Sequence, residues 1–261
     1  MKKLFGLIMA LLVSMMCVGN TFATAPDDCI VQNYSSQGYL NLVMLNPSNE
    51  VMFIVHTPKG REISYNKDLS CPYTFDYRKV YLVDGLGMYK ITFFDRVGTN
   101  WVQVKTTSTW CFGNTNNKYL VPGSEAESDS TVIKKQALSI TSSIVTTTDK
   151  AKALNRWVAY NTTYDIEEYR HPELYVYHGA IYSLVLKKGV CHDYAGLTAA
   201  MGRSLGIQTK VVHGSYKGGY HAWNQFLIDG RWIPCDSTMN KWDTDISSTD
   251  YTTYGDYDQD N

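Results

Sequence analysis

Residues 189–197 read Gly-Val-Cys-His-Asp-Tyr-Ala-Gly-Leu, and the rest of the chain is best read outward from them. From Tyr194 onward, apolar side chains recur at Leu197, Met201 and Leu205. Spacings of three and four mark one face of an amphipathic helix. Gly206 follows and supplies a C-terminal stop. Cys191 therefore falls at or just before the first turn of a buried helix. Free N–H groups and the helix dipole at such a position favour a thiolate, and the same N–H groups can bind an oxyanion. An inert buried thiol is the ordinary alternative for a single cysteine, so the neighbouring segments must decide.

Downstream, Gln208 to Gly214 alternates like a strand, Gly218-Gly219 makes a turn, and Tyr220 to Ile228 reads as a second strand. Asp229-Gly230 is a two-residue hairpin signal. It sets Ile228 opposite Arg231, Leu227 opposite Trp232 and Gln225 opposite Pro234. Extended by period two, the register sets Trp223 opposite Asp236 and puts His221, Trp223 and Asp236 on one face. Asp236 is then a diagonal neighbour of His221, while Cys235 points the other way. A bulge near Pro234 would shift this register. A thiol at a helix start, an imidazole on a strand and a carboxylate on the paired strand follow the logic of nucleophilic catalysis. Cys191 is the expected nucleophile, His221 the proton carrier and Asp236 the group that steadies the imidazolium. Trp223 is an expected substrate contact. The Cys191 backbone N–H is one oxyanion donor, and the sequence identifies no second.

Upstream, residues 26–122 carry short apolar runs: Leu40 to Leu45, Val51 to His56, Val80 to Val83, Tyr89 to Phe94 and Trp101 to Lys105. Turn chemistry at Thr57-Pro58-Lys59-Gly60, Asp84-Gly85 and Gly98-Thr99-Asn100 separates several of them. This pattern predicts a small β-sandwich domain. Val121 to Ser130, rich in Pro, Gly, Ser and acids, reads as a linker. Helices are expected over Val132 to Ile144 and after a cap at Asp149, with Leu154, Trp157 and Val158 on one face. A catalytic domain is expected over 130–243, and an acidic, Tyr-rich, loosely held tail over 244–261.

The first 25 residues have the form of a signal peptide. Lys2 and Lys3 precede an apolar run from Leu4 to Gly19, and Ala23-Thr24-Ala25 is a small-x-small cleavage site. The run is short for a membrane span. A secreted or cell-surface protein is expected, with no membrane association after cleavage. The chain holds 24 basic and 25 acidic residues. So near-neutral a balance supplies no bulk drive toward nucleic acid. Cys29, Cys71, Cys111, Cys191 and Cys235 follow the leader. An odd number leaves at least one thiol free or paired between chains. Four could form disulfides in three connectivities, or all could stay reduced.

These residues strongly resemble the transglutaminase-like superfamily. The resemblance rests on Gly189 to Ala195, Gly206-Ile207, His221-Ala222-Trp223-Asn224, Gly230-Arg231-Trp232 and Asp236-Ser237-Thr238. Arg156-Trp157-Val158 and Tyr164-Asp165 look like the family's leading helix and the turn after it. The likeness covers roughly residues 130–240. Cys235-Asp236-Ser237 departs from the more usual apolar-Asp-Pro without touching the three site positions. The resemblance implies an α+β, papain-like core, a helix carrying Cys191 packed on an antiparallel sheet. It carries the family's Cys, His and Asp positions over to Cys191, His221 and Asp236. It further implies acyl transfer on amide bonds of a protein or peptide, cell-wall-associated substrates included, through a thioester. Family members include cross-linkers, proteases and amidases, and some have lost activity. Water as acceptor is slightly favoured, because it needs no second-substrate site.

Two rival readings remain. Cys191, His192, Asp193, His213, His221 and Cys235 are possible metal ligands, but their spacing is looser than zinc sites usually show. His192 and Asp193 suit a helix start, and His213 suits a strand surface or core. No metal or cofactor is therefore expected. The other rival is a non-catalytic cell-surface or polymer-binding protein with an idle transglutaminase-like fold.

Overall fold

The structure, a computed structural model, describes residues 26–45, 50–68, 77–113, 116–123, 125–171 and 178–256. The expected leader, Cys71 and residues 257–261 lie outside these. The chain divides into two compact units between residues 115 and 116.

Among the described residues the first unit holds seven strands: β1 (Cys29–Tyr34), β2 (Tyr39–Met44), β3 (Glu50–His56), β4 (Glu62–Asp68), β5 (Tyr77–Tyr81), β6 (Gly87–Val97) and β7 (Asn100–Cys111). They form two antiparallel sheets, ordered β1-β2-β5 and β4-β3-β6-β7. Alternate residues point inward. Leu40, Leu42 and Met44 from one sheet meet Val51, Phe53 and Val55 from the other in a single buried cluster. This is a sandwich. The sequence pattern marks no separate strand at β1 or β4. Both lie at sheet edges, and β1 buries only Cys29, so β1 lacks the apolar alternation that marks an inner strand.

The second unit begins before its first helix. The stretch 121–130 is not a free linker: Val121, Glu125, Ala126 and Ser128 are buried. Arg203 clamps it, donating through Nη1 to the Val121 carbonyl and through Nε to that of Thr209. Glu127 accepts from the Ile181 N–H. The acidic composition suggests solvent, but Glu125 and Glu127 turn to partners within the unit.

Among the described residues five helices follow: α1 (Thr131–Thr141), α2 (Thr147–Asn161), α3 (Ile166–Arg170), α4 (Ala180–Leu186) and α5 (Cys191–Ser204). A short parallel pair, β8 (Thr163–Tyr164) with β9 (Lys188–Gly189), lies between them. The cap of α2 is Thr146 rather than Asp149. The Thr146 hydroxyl accepts the Asp149 N–H and donates to the Asp149 carboxylate, so Asp149 is the third residue of the capped turn. Helix α5 ends as a Schellman motif. Ile207 N–H bonds to the Gly202 carbonyl, Gly206 N–H bonds to that of Arg203, and Gly206 takes φ +77°.

The sheet of this unit runs β13-β12-β11-β10-β14, all antiparallel. Its strands are β10 (Thr209–Tyr216), β11 (Gly219–Ile228), β12 (Arg231–Asp236), β13 (Lys241–Trp242) and β14 (Tyr251–Asp256). Helix α5 packs on β10 and β11 and against α1, α2 and α4, and nearly all its residues are buried. The turns at Lys217-Gly218 and Asp229-Gly230 both hold two consecutive positive φ values, the twist that favours two-residue hairpins. The first lies one residue earlier than its sequence reading. Part of the expected loose tail is strand β14, paired to β10. An edge strand with Thr252 to Gly255 exposed shows no alternation of apolar residues, so composition alone read it as loose.

Candidate active site

Cys191 is the first residue of α5 and is only 6% exposed. Asp193 closes the helix start by accepting the Val190 N–H through Oδ2 at 2.8 Å. The approach is tight enough to require Gly189, where an added Cβ would lie 2.5 Å from the Asp193 Cβ.

The hairpin of β11 and β12 keeps the expected register, from Ile228 opposite Arg231 to Asn224 opposite Cys235. Past that point His221 and Asp236 meet. His221 Nε2 lies 2.7 Å from Asp236 Oδ2, in a buried hydrogen bond. Asp236 is fully buried, yet each oxygen is engaged. Oδ2 also accepts from the Tyr251 hydroxyl at 2.7 Å, and Oδ1 accepts the N–H groups of Thr238 and Met239. A buried carboxylate tolerates its desolvation only with such partners. Burial alone would lower the His221 pKa. The hydrogen bond to Asp236 and the neighbouring Cys191 outweigh it, and the imidazole is pushed up to about 9.

Three positioning contacts were not legible beforehand. Asn224, in the quoted His-Ala-Trp-Asn run, donates through Nδ2 to the Ala195 carbonyl at 2.9 Å and the Lys210 carbonyl at 3.0 Å. It ties the helix that carries Cys191 to the strand that carries His221. Tyr251 holds Asp236 from a segment read as tail. Tyr164 lies beside Cys191, and burial pushes its hydroxyl pKa upward. Asn224 and Tyr164 each had a signal in the sequence, in the His-Ala-Trp-Asn run and the Tyr164-Asp165 pair, whereas Tyr251 had none.

Trp223 is 2% exposed, stacks beside the His221 ring at 6.1 Å and meets Tyr251 edge-on at 5.3 Å. Its place is behind the imidazole, as a wall of the His221 site. Cys235 points away from this group into a cluster with Phe226 and Ile233, where burial raises its pKa well above the ordinary thiol value. Cys29, Cys111, Cys191 and Cys235 are free thiols. Of the possible metal ligands read from the sequence, His192 and His213 are brought together, with Glu125 as a third member; all three are buried. His192 Nε2 lies 3.0 Å from Glu125 Oε2. Burial lowers the His192 pKa, but the Glu125 carboxylate more than reverses this. His213 is pushed down to about 3 by burial, then by the charges of His192 and His221.

A thiol at a helix start, an imidazole beside it and a buried carboxylate behind the imidazole can together deliver a sulfur nucleophile and hold its proton. Residues 134–237 match the model of the Transglutaminase-like superfamily. The chain is 29% identical over 116 residues to kyphoscoliosis peptidase of Mus musculus and of Homo sapiens. That alignment takes in 40% of this chain and 17% of each relative, so the chain spans under a fifth of those proteins. Among solved structures, a TGase is similar at 27% identity and TM-score 0.37, over 42% of this chain and 31% of that one. The periplasmic domain of TgpA from Pseudomonas aeruginosa is similar at 15% identity and TM-score 0.38, over 77% and 72%.

Proposed function

We propose that this protein, whose residues 134–237 match the model of the transglutaminase-like superfamily, is a cysteine-dependent acyl-transfer enzyme acting on amide bonds of proteins or peptides. The observation that carries the proposal is the buried 2.7 Å bond between His221 and Asp236, with Cys191 beside the His221 imidazole. The Cys191 sulfur attacks the amide carbonyl carbon. A C–S bond forms and the carbonyl electron pair moves onto oxygen. The oxyanion collapses, the C–N bond breaks, and His221 passes its proton to the leaving amine. Water or a primary amine then attacks the thioester, gives a proton to His221, and releases the sulfur.

Two donors fit the oxyanion. One is the Cys191 N–H at the start of α5. The other is the Tyr164 hydroxyl, which lies beside that residue. The protein is further proposed to be exported, on the leader-like residues 1–25. Among the described residues no helix is long and apolar enough to cross a membrane.

The test offers candidate protein substrates with and without a labelled primary amine, with Cys191→Ala as control. Incorporation of label identifies amine transfer. Cleavage or ammonia release without incorporation identifies hydrolysis. Full activity in the Cys191→Ala protein would remove the assignment.

A further inference from the structure

We propose that Glu125, His192 and His213 form a binding site for one zinc-class divalent cation, beside Cys191 but separate from its sulfur. The site stands independently of the acyl-transfer reading, and it adds an ion where the sequence suggested none. Three distant segments supply the ligands: the packed stretch before α1, the first turn of α5 and the middle of β10. One donor atom from each residue lies within 4.8 Å of the others. An ion with bonds of about 2.0–2.2 Å bridges such a span with small side-chain shifts. The 3.0 Å separation of His192 Nε2 and Glu125 Oε2 already suits two ligands of one tetrahedral ion.

The donor chemistry is also selective. Two imidazoles and one carboxylate match a three-ligand zinc site that keeps a fourth position for water or an outside ligand. Imidazole suits zinc, copper, cobalt and nickel better than calcium or magnesium. The surroundings orient one of these ligands. His213 Nδ1 is bonded to the Tyr220 hydroxyl, which leaves Nε2 as its metal-facing atom. A ligating histidine usually anchors its second ring nitrogen in this way. A second cluster, Glu168, His178 and Asp193, is a weaker candidate. Its Asp193 already accepts the Val190 N–H at the start of α5.

The ion would join the stretch before α1 to the helix and sheet that carry the candidate active site, so its binding should stabilise the folded unit. The test titrates chelator-treated full-length protein with zinc chloride by calorimetry, and follows cobalt(II) by absorption. The expected result is one equivalent of zinc bound, a raised melting temperature, and cobalt d–d bands without thiolate charge transfer. Cys191→Ala should bind equally well. His213→Gln and Glu125→Gln should each lose at least the 10–100-fold that weaker supporting contacts cost. Far-UV circular dichroism in chelator checks that each variant is folded, and the wild-type cobalt spectrum decides even if one is not. Absence of an equivalent of bound zinc would overturn the site and leave a buried His192–Glu125 ion pair. So would a thiolate charge-transfer band, loss of binding in Cys191→Ala, or unchanged binding in a folded His213→Gln protein.

Discussion

Tyr251 donates its hydroxyl to Asp236 Oδ2, the same oxygen that meets His221 Nε2, and both contacts measure 2.7 Å. A strand at the sheet edge thus completes the hydrogen-bonding shell of the carboxylate behind the imidazole. Tyr251→Phe keeps the ring and removes one bond to a charged group. It should cost about 1.5–3 kcal/mol in stability, read from urea midpoints. A loss below about 0.5 kcal/mol would show that the bond does not support Asp236.

Asn224 holds α5 to the sheet through two backbone carbonyls. Asn224→Ala leaves both short of a buried donor. A destabilisation of about 1–3 kcal/mol is expected, together with a fall in kcat as the Cys191 and His221 supports loosen. Wild-type stability with normal kcat would show that the clamp is dispensable.

The His221 imidazole is held at about 9, above its ordinary 6.5. A raised folded value means the protonated form is the stabilised one. Its contribution is complete below about pH 6.5 and fades as pH climbs through about 9. Unfolding free energy should therefore fall across that window by at most about 3 kcal/mol, and His221→Gln should flatten the fall. A wild-type profile as flat as the variant's would refute the coupling.

Tyr164→Phe tests the side-chain oxyanion donor. If the hydroxyl stabilises the oxyanion, kcat should drop about 100–1,000-fold with KM little changed. A kcat within about twofold of wild type would leave the backbone N–H as the donor that matters.

Brief alkylation of the folded protein should label Cys191 ahead of Cys29, Cys111 and Cys235. Burial pushes the Cys29 and Cys111 thiols up to about 11 and raises Cys235 well above its ordinary value, and thiolate is the reacting form. Peptide mapping by mass spectrometry reads the order. Equal labelling of Cys191 and Cys29 would argue against an activated nucleophile.

The sequence by itself determined what depends on short-range periodicity. Leu197, Met201 and Leu205 mark a helical face, Gly206 ends it, and Asp229-Gly230 sets a register that brings His221 to Asp236. Each of these signals lies within a few residues or across one tight turn, where geometry allows few alternatives. Only the tertiary structure decided the partners that come from far along the chain. Tyr251 reaches Asp236 through an edge strand with no apolar alternation. Glu125 reaches His192 from a stretch whose composition resembles a linker. Asn224 bonds to Ala195 across the helix–sheet contact. Burial gives those polar groups their strength, because a desolvated group must find a partner. The chain's local pattern records that need without saying where the partner lies.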